Sequence, residues 1–327
     1  MASKKTLKQI LDASDKCILV PCVYDCASNH AVEMCGFPLS LLSGGELSLA
    51  MNGAIDYGFT GLTDLEWMVS RISQTSSIPL IADIEDGFGG PLAVYRAAKR
   101  LSKAGAAAIQ LEDSADMEES TKLLPREKYL AKVRAALDAL EGTDCLLIAR
   151  SNADPFNPEE MKEGCERLQE AIDIGAERGQ FVIAMMVAII NYEQAAEMAK
   201  IVTGPKIFAD VRAEKGEDGH YHPAVTMEQL TGLGFCMCST HYTLKAAMEG
   251  MLEHGPKNFA DQSVAYTFEN APATGIESFS ASGMFDPQAY VQLENSYTGG
   301  DKEYTIVGHK VEDYPNGFVR PNIKERM

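Results

Sequence analysis

Short apolar runs alternate with longer amphipathic segments along this chain, and the alternation restricts its fold more than any other feature. Eight runs are almost continuously apolar, which is typical of parallel strands buried on both faces. These runs are residues 17–22, 39–43, 79–83, 107–112, 145–150, 181–186, 206–211 and 235–239. The clearest amphipathic segments are 90–103, 126–140, 158–174 and 191–201. Eight strand–helix units with right-handed crossovers predict an α/β fold, a closed (β/α)₈ TIM barrel rather than an open sheet.

Glycines lie between several of the helical segments and the apolar runs that follow them. Gly36, Gly105, Gly175 and Gly234 each come just before an apolar run, where a left-handed residue is expected to close the preceding helix. After about residue 255 the chain becomes rich in Tyr, Phe, Gly, Asn and Pro, with little helical periodicity. We therefore predict a barrel catalytic domain over residues 1–254 and an irregular C-terminal extension over 255–327. That extension would serve as a cap or as an oligomer arm.

Charge excludes some classes of partner. The chain carries 47 acidic and 29 basic residues, for a formal net charge of −18. Such a surface repels nucleic acid and anionic membranes.

No stretch has the apolar length of a membrane span, and the N-terminus lacks the apolar core of a signal peptide. The eight cysteines are expected to be reduced thiols, mostly buried, so we expect a cytoplasmic protein.

Polar residues collect where the predicted strands end. Asp83 and Glu85 follow the third run, Glu112 ends the fourth, and Arg150 ends the fifth. Carboxylates held close together repel one another, and burial increases the repulsion. A divalent cation would relieve it, and Mg²⁺ takes one or two carboxylates directly while others hold its waters. Asp83, Glu85 and Glu112 therefore predict a Mg²⁺ site, with Mn²⁺ as an alternative occupant. The competing interpretation is a set of solvated loop carboxylates.

Two further features fit an anionic ligand. Arg150 could bind a substrate carboxylate through a bidentate pair, or form a salt bridge with Glu112, and both roles can coexist. Ser43, Gly44 and Gly45 offer a hydroxyl and backbone N–H groups to an anion, although the same tripeptide is common in ordinary loops. His241 follows the eighth run and could face the same end of the barrel, or form a structural hydrogen bond.

Five segments in this order resemble the isocitrate lyase/phosphoenolpyruvate mutase superfamily. They are residues 21–37, 41–60, 78–90, 104–114 and 146–153, and the most diagnostic are the D-I-E-D-G-F-G run from Asp83 and the Leu-Glu-Asp tripeptide at 111–113. The resemblance implies a (β/α)₈ barrel acting on a small carboxylate. It also implies a homo-oligomer, a tetramer with C-terminal helices exchanged between subunits.

The same resemblance assigns residues to roles. It implies that Asp83 binds Mg²⁺ directly while Glu85, Glu112 and Asp56 hold metal-bound waters. The substrate-binding residues that it implies are Tyr24, Ser43, Gly44, Gly45, Asp83 and Arg150. In this family the metal stabilises the enolate of a pyruvate-like fragment while a bond to its C3 breaks or forms.

The chain departs from the family in a loop that carries proton-transfer chemistry. Family lyases place a Lys-Lys-Cys-Gly-His segment there, and the phosphonate-forming mutases use an asparagine. Residues 114–122 contain no Cys, His or Asn. Glu85 also replaces the usual aspartate, Asp210 replaces a frequent asparagine, and the sixth run lacks a polar residue at its end. Both namesake activities therefore lose support.

Decarboxylation needs no cysteine acid, because formation of a metal-stabilised enolate does most of the work. The leading hypothesis is a Mg²⁺-dependent lyase or decarboxylase of a small 2-oxo or 2-hydroxy dicarboxylate such as oxaloacetate, with Tyr24, Glu112 and Arg150 as catalytic residues. An alternative is a C–C lyase of a substituted malate or methylisocitrate, in which Lys122, Tyr24 or a residue of the C-terminal extension moves protons. Phosphonomutase-type P–C chemistry and a non-catalytic carboxylate-binding barrel are further alternatives.

Overall fold

Eight parallel strands close into a barrel in the computed structural model, which describes residues 4–114, 123–270, 287–303, 305–306 and 309–310. The strands are β1 (Ile18–Val23), β2 (Ser40–Leu42), β3 (Leu80–Asp83), β4 (Ala108–Glu112), β5 (Leu146–Ser151), β6 (Val182–Met186), β7 (Lys206–Phe208), β8 (Ala213–Lys215), β9 (Tyr221–Pro223), β10 (Phe235–Thr240), β11 (Thr305–Ile306) and β12 (His309–Lys310). Around the barrel the order is β1, β10, β7, β6, β5, β4, β3, β2. All eight predicted runs supply a barrel strand, so the predicted (β/α)₈ fold is confirmed.

Helices connect the strands. They are α1 (Leu7–Asp12), α2 (Cys26–Met34), α3 (Gly44–Asn52), α4 (Leu62–Thr75), α5 (Pro91–Ala104), α6 (Arg126–Leu140), α7 (Pro158–Glu177), α8 (Tyr192–Ile201), α9 (Met227–Gly232), α10 (Thr243–Asp261), α11 (Ala265–Asn270) and α12 (Pro287–Thr298). Local sequence explains several ends. Proline at the first position starts α5 and α7, and Gly105 closes α5 at φ 107°, a value that favours glycine.

Gly175 does not play the predicted capping role. It lies inside α7, which continues to Glu177, and Gly179 takes the left-handed conformation with φ 68°. A Cβ at Gly175 would lie 2.4 Å from Cγ2 of Val182 on β6. Glycine at position 175 therefore allows the helix to approach the strand closely, which is a packing requirement that local sequence does not reveal.

Both faces of the barrel strands are buried. Alternate residues such as Ile81, Ala108 and Ile148 pack inside the barrel, while neighbours such as Ala82 and Ile109 pack against the helices. Leu7 of α1, which is fully buried, joins the interior cluster. This two-sided burial explains why the strands are continuous apolar runs rather than alternating ones.

The chain divides into two units, Met1–Lys245 and Ala246–Met327. In the second, α12 spans 12 residues, where the sequence predicts little helix. Proline at its first position favours the start of a helix, and Tyr290, Leu293 and Tyr297 follow at helical spacing. These three side chains are exposed.

All eight cysteines are free thiols, and Cys35 is the one that is exposed. Burial raises the pKa of Cys17, Cys145 and Cys165 to about 12. The burial of most of these side chains agrees with the expectation of mostly buried thiols. No helix in the described ranges is both long and apolar enough to cross a membrane.

Candidate active site

Three charged side chains meet where β3, β4 and β5 end. Glu112 pairs with Arg150 in the strand register, which sets their side chains next to each other. Nη1 of Arg150 lies 2.9 Å from Oδ2 of Asp83, and Nη2 lies 2.9 Å from Oε2 of Glu112. Burial opposes the charge of Arg150, but the carboxylates outweigh it and raise its pKa. Of the two roles considered for Arg150, the salt bridge is the one present in this structure.

Asn152 extends this cluster. Its Nδ2 donates to Oε2 of Glu112 at 3.0 Å, and its Oδ1 accepts from Nε of Arg150 at 3.1 Å. Asp113, which is fully buried, fixes the backbone nearby by accepting from the N–H of Asn152 at 2.8 Å and from Oγ of Ser151 at 2.7 Å. Asn152 therefore fixes the positions of Glu112 and Arg150 relative to each other.

Asp113 also forms an ion pair with an arginine of α7. Nη1 of Arg167, on α7, lies 2.9 Å from Oδ2 of Asp113 and also donates to the carbonyl oxygen of Leu124. Arg167 is 3% exposed. This second ion pair connects α7 to β4 and, through Asn152, to the charged cluster.

Asp56 and Glu85 complete a group of four acids. Burial raises the pKa of Asp56 and of Asp83, and it raises that of Glu85 well above its ordinary value, with the charge of Asp83 adding to the effect. Oε1 of Glu85 is buried and has no hydrogen-bond partner. Glu85 also has φ 50°, an uncommon conformation for a residue with a side chain. Four acids around one arginine leave unbalanced negative charge at this end of the barrel.

The tripeptide Ser43-Gly44-Gly45 begins helix α3. Oγ of Ser43 caps the helix by accepting from the N–H of Glu46 at 3.3 Å. The two glycines form the first turn, whose free N–H groups and helix dipole favour an anion. A Cβ at Gly44 would lie 1.7 Å from Oε1 of Glu85, so any larger residue at that position would displace the carboxylate of Glu85.

A cavity of about 320 Å³ opens among these groups, near the lower end of the range for small-ligand sites. Its lining residues are Cys22, Leu41, Ser43, Gly45, Asp56, Asp83, Gln110, Arg150, Met185, Val187, Ala209, Asp210, Arg212, Ser239 and His241. Five of the residues predicted for the site are among them. Gly44, Glu85 and Glu112 are not in this lining, but the backbone N–H of Glu85 donates to Oδ1 of Asp83 and Glu112 pairs with Arg150, and both partners line the cavity. Tyr24 is also outside the lining, and burial raises its pKa.

The sequence identifies only some of the residues on the cavity wall opposite Asp83. Nδ1 of His241 lies 3.3 Å from Oδ1 of Asp210, whose φ is 52°. His241 follows the eighth predicted run and Asp210 lies near the end of the seventh, so the rule that site residues lie at strand ends identifies them. Arg212 lies beyond the strand and before the exposed hairpin of β8 and β9, where no sequence pattern indicated a site. Gln110 sits within a strand, and its buried Oε1 has no partner.

The acids fit a hard divalent cation that keeps water ligands. In the described part of the chain, no three His, Cys, Asp or Glu side chains are arranged to hold a metal ion directly. Arg150 contacts two of the four acids, Asp83 and Glu112. Mg²⁺ needs only one or two direct carboxylates. Asp83 in the cavity lining and the unpartnered oxygen of Glu85 provide the kind of donors it prefers.

Curated relatives include oxaloacetate decarboxylases. The enzyme of Pseudomonas putida strain GB-1 is 31% identical over 197 residues, which cover 59% of this chain and 65% of that enzyme. The enzyme of Rhodopseudomonas palustris strain CGA009 is 35% identical over 151 residues, or 45% of this chain and 52% of that enzyme. The matched region thus spans about two thirds of the first relative and about half of the second.

Solved structures give the same picture of the fold. Oxaloacetate acetylhydrolase superposes with a TM-score of 0.76 at 25% identity, covering 91% of this chain and 98% of its own. That enzyme has also been solved with the product oxalate and with the inhibitor 3,3-difluorooxalacetate. A 2,3-dimethylmalate lyase of the PEP mutase/isocitrate lyase superfamily gives a TM-score of 0.73 at 24% identity, with coverages of 90% and 97%.

The family model described as phosphoenolpyruvate phosphomutase matches residues 7–255, which include every barrel strand and every residue predicted for the site. This range is more than half of the chain. The resemblance drawn from the five sequence segments is therefore confirmed, and the chain belongs to the phosphoenolpyruvate phosphomutase family.

Proposed function

We propose that this protein is a Mg²⁺-dependent carbon–carbon lyase that decarboxylates a small 2-oxo dicarboxylate of the oxaloacetate type. The observation that carries the proposal is the cluster of Asp83, Glu112 and Arg150 beside a cavity of about 320 Å³. The names of the curated relatives support the choice of oxaloacetate.

Asp83 would hold Mg²⁺, and Asp56, Glu85 and Glu112 would hold its waters. The N–H groups at the start of α3 and the guanidinium of Arg150 would orient the substrate's 2-oxo acid end. Asn152 would keep Arg150 and Glu112 in place during the reaction, because it bonds to both. Orientation by groups that are already fixed lowers the entropic part of the barrier.

In the reaction, the bond between C3 and C4 of the substrate breaks and C4 leaves as CO₂. The electron pair of that bond passes toward the 2-oxo oxygen, giving the enolate of pyruvate, and a proton taken from solvent water then adds at C3. Bound Mg²⁺ would supply Lewis-acid stabilisation of the developing negative charge. No protein acid is needed to break the bond, which agrees with the lack of Cys, His and Asn at 114–122. Lys122, considered above as a proton carrier, lies outside the described residues.

The test is a measurement of pyruvate and CO₂ from oxaloacetate with purified protein and Mg²⁺, corrected for the protein-free rate with Mg²⁺. The first variant is Asp83→Asn, which keeps the shape but removes the charge. We expect a loss of at least about 100-fold in kcat/KM, since an electrostatic group in the site is removed. Asp138→Asn, which removes a carboxylate from an exposed pair with Arg178, should leave the rate unchanged. A native protein that yields no pyruvate above the background would refute the proposal.

The same assay separates the alternatives. Substituted malates, methylisocitrate and phosphonopyruvate would be followed by NMR beside oxaloacetate. Turnover of a malate would favour the lyase alternative, and turnover of phosphonopyruvate would favour P–C chemistry. Binding of Mg²⁺ and oxalate without any turnover would favour the non-catalytic barrel.

We also propose that the protein forms a homo-oligomer, a tetramer as the resemblance implies. Support comes from large apolar side chains exposed in the second unit of the chain, among them Met251, Leu252 and Phe259 of α10 and Tyr290 of α12. Exposed apolar patches are typical of protein–protein interaction sites.

A further inference from the structure

The cavity has two walls of different character. Asp83 ends β3, and β7 lies directly across the closed barrel from β3 in the strand order. Asp210 and Arg212 follow β7, and His241 follows β10, the neighbour of β7. All four residues line the cavity. A small ligand held at Asp83 therefore faces Arg212 from the other side.

Arg212 is the cation on this second wall that forms no ion pair, although its charge acts on Asp210 at longer range. Among the described residues, no ion pair within 4.0 Å and no side-chain hydrogen bond involves its guanidinium. Arg150, on the first wall, is instead engaged by Asp83 and Glu112. A lining guanidinium without a partner is suited to a carboxylate brought in by a ligand.

The acid nearest in sequence, Asp210, forms its direct contacts with His241 rather than with Arg212. Asp210 is paired with His241 by a side-chain contact of 3.3 Å and by a backbone N–H bond of 3.2 Å. Below the cavity mouth, the amide oxygen of Gln110 is buried without a partner, which indicates a volume built to hold a polar molecule rather than an apolar one.

We propose that Arg212 binds the second carboxylate of the substrate, the one at C4, and thereby restricts the site to dicarboxylates. The inference rests on the proposed function, since it takes the 2-oxo acid end to be held at Asp83. Loss of the C4 carboxylate during the reaction determines how Arg212 affects the kinetics. The C4 carboxylate loses its negative charge as CO₂ leaves, so Arg212 interacts more strongly with bound substrate than with the transition state. Arg212 is thus a specificity residue and does not accelerate the chemical step.

The experiment compares two ligands by calorimetry in the presence of Mg²⁺, without turnover. Oxalate carries only the 2-oxo acid half, whereas 3,3-difluorooxalacetate also carries the C4 carboxylate. For Arg212→Gln we expect the dissociation constant of 3,3-difluorooxalacetate to rise about 5- to 30-fold, the range for one ionic contact in a partly desolvated site. The dissociation constant of oxalate should change by less than about twofold.

Lys215→Gln is the matched control, because it removes one positive charge from the exposed strand that follows Arg212. It should change neither affinity. With oxaloacetate, Arg212→Gln should raise KM while kcat stays constant or increases. Arg212 is exposed, so the variant is expected to fold normally.

Equal affinity of Arg212→Gln and the native protein for 3,3-difluorooxalacetate would overturn the inference and leave the proposed function standing. Equal losses for both ligands would also overturn it, since Arg212 would then act on the whole site. A native protein that binds neither ligand would instead remove the proposed function, and this inference with it.

Discussion

At the scale of single residues, the contact between Gly44 and Glu85 makes the site intolerant of one methyl group. A Cβ at Gly44 would lie 1.7 Å from Oε1 of Glu85, whereas one at Gly45 would meet nothing nearer than 3.6 Å. We expect Gly44→Ala to displace Glu85 and to lower kcat/KM at least about tenfold, because small displacements in a site are costly. Gly45→Ala should retain most of the activity. The two variants, assayed side by side with a thermal melt, check this, and equal activities would contradict it.

The pair of His241 and Asp210 predicts a pH dependence of stability. The hydrogen bond to Asp210 raises the pKa of His241. Burial opposes ionisation of Asp210, but His241 outweighs it and lowers the pKa of that acid. Three other charged groups act on the pair, namely Glu46, Asp83 and Arg212.

A raised histidine pKa contributes stability that is complete below the ordinary value of about 6.5 and is lost as the pH rises through the folded-state value. The lowered pKa of Asp210 contributes above about pH 4 and is lost on acidification. The pair therefore stabilises most between about pH 4 and 6.5. His241 and Asp210 are 42% and 41% exposed, so solvent screening limits the effect to less than about 1 kcal/mol.

The measurement is the free energy of unfolding in urea from pH 5 to 9. His241→Gln should flatten the decline above pH 6.5 relative to the native protein. His220→Gln, at an exposed histidine of the hairpin turn, should leave it unchanged. A native curve that rises across this interval more than that of His241→Gln would show that the sign is wrong.

At the scale of secondary structure elements, α7 supports the site through the buried pair of Arg167 and Asp113. Removing one partner of such a pair leaves a buried charge uncompensated, at a cost of about 3–5 kcal/mol. We expect Arg167→Met to lower the free energy of unfolding by that amount and to reduce activity, since Asp113 fixes the backbone of Asn152. Arg178→Met, which breaks an exposed pair between the C-cap of α7 and Asp138 of α6, should cost less than about 1 kcal/mol. Similar losses for both variants would contradict the argument.

The elements also show what sequence can and cannot predict. Burial on both faces makes barrel strands visible as apolar runs, and the placement of Asp83, Glu112 and Arg150 follows from where those runs end. The hairpin of β8 and β9 was not predicted, because its residues are exposed and carry no period of burial. The pairing of Arg150 with two acids depends on contacts between strands that a single sequence does not specify. The roles of Arg212 and Gly175 depend in the same way on tertiary neighbours.

At the scale of the whole molecule, the exposed apolar side chains of the C-terminal unit predict association. We expect the native protein to elute from a size-exclusion column as an oligomer. Light scattering on the eluate would measure its mass. Replacing Tyr290 and Leu293 of α12 together by Ser should shift it toward the monomer, because large apolar anchors dominate interface energies. Replacing the exposed Leu92 of α5 by Ser is the control. A native protein that is monomeric at micromolar concentration would refute the prediction.

The distribution of the thiols gives the protein one exposed cysteine to which a chemical probe can be attached. Seven cysteines are buried or half-buried and Cys35 alone is exposed. Alkylating reagents react with the thiolate, so burial that raises a thiol pKa also slows its modification. A maleimide dye or a nitroxide added to the unaltered protein would therefore attach chiefly at Cys35, just after α2. Such a single probe would allow ligand binding and subunit exchange to be followed by fluorescence or spin resonance without engineering the sequence.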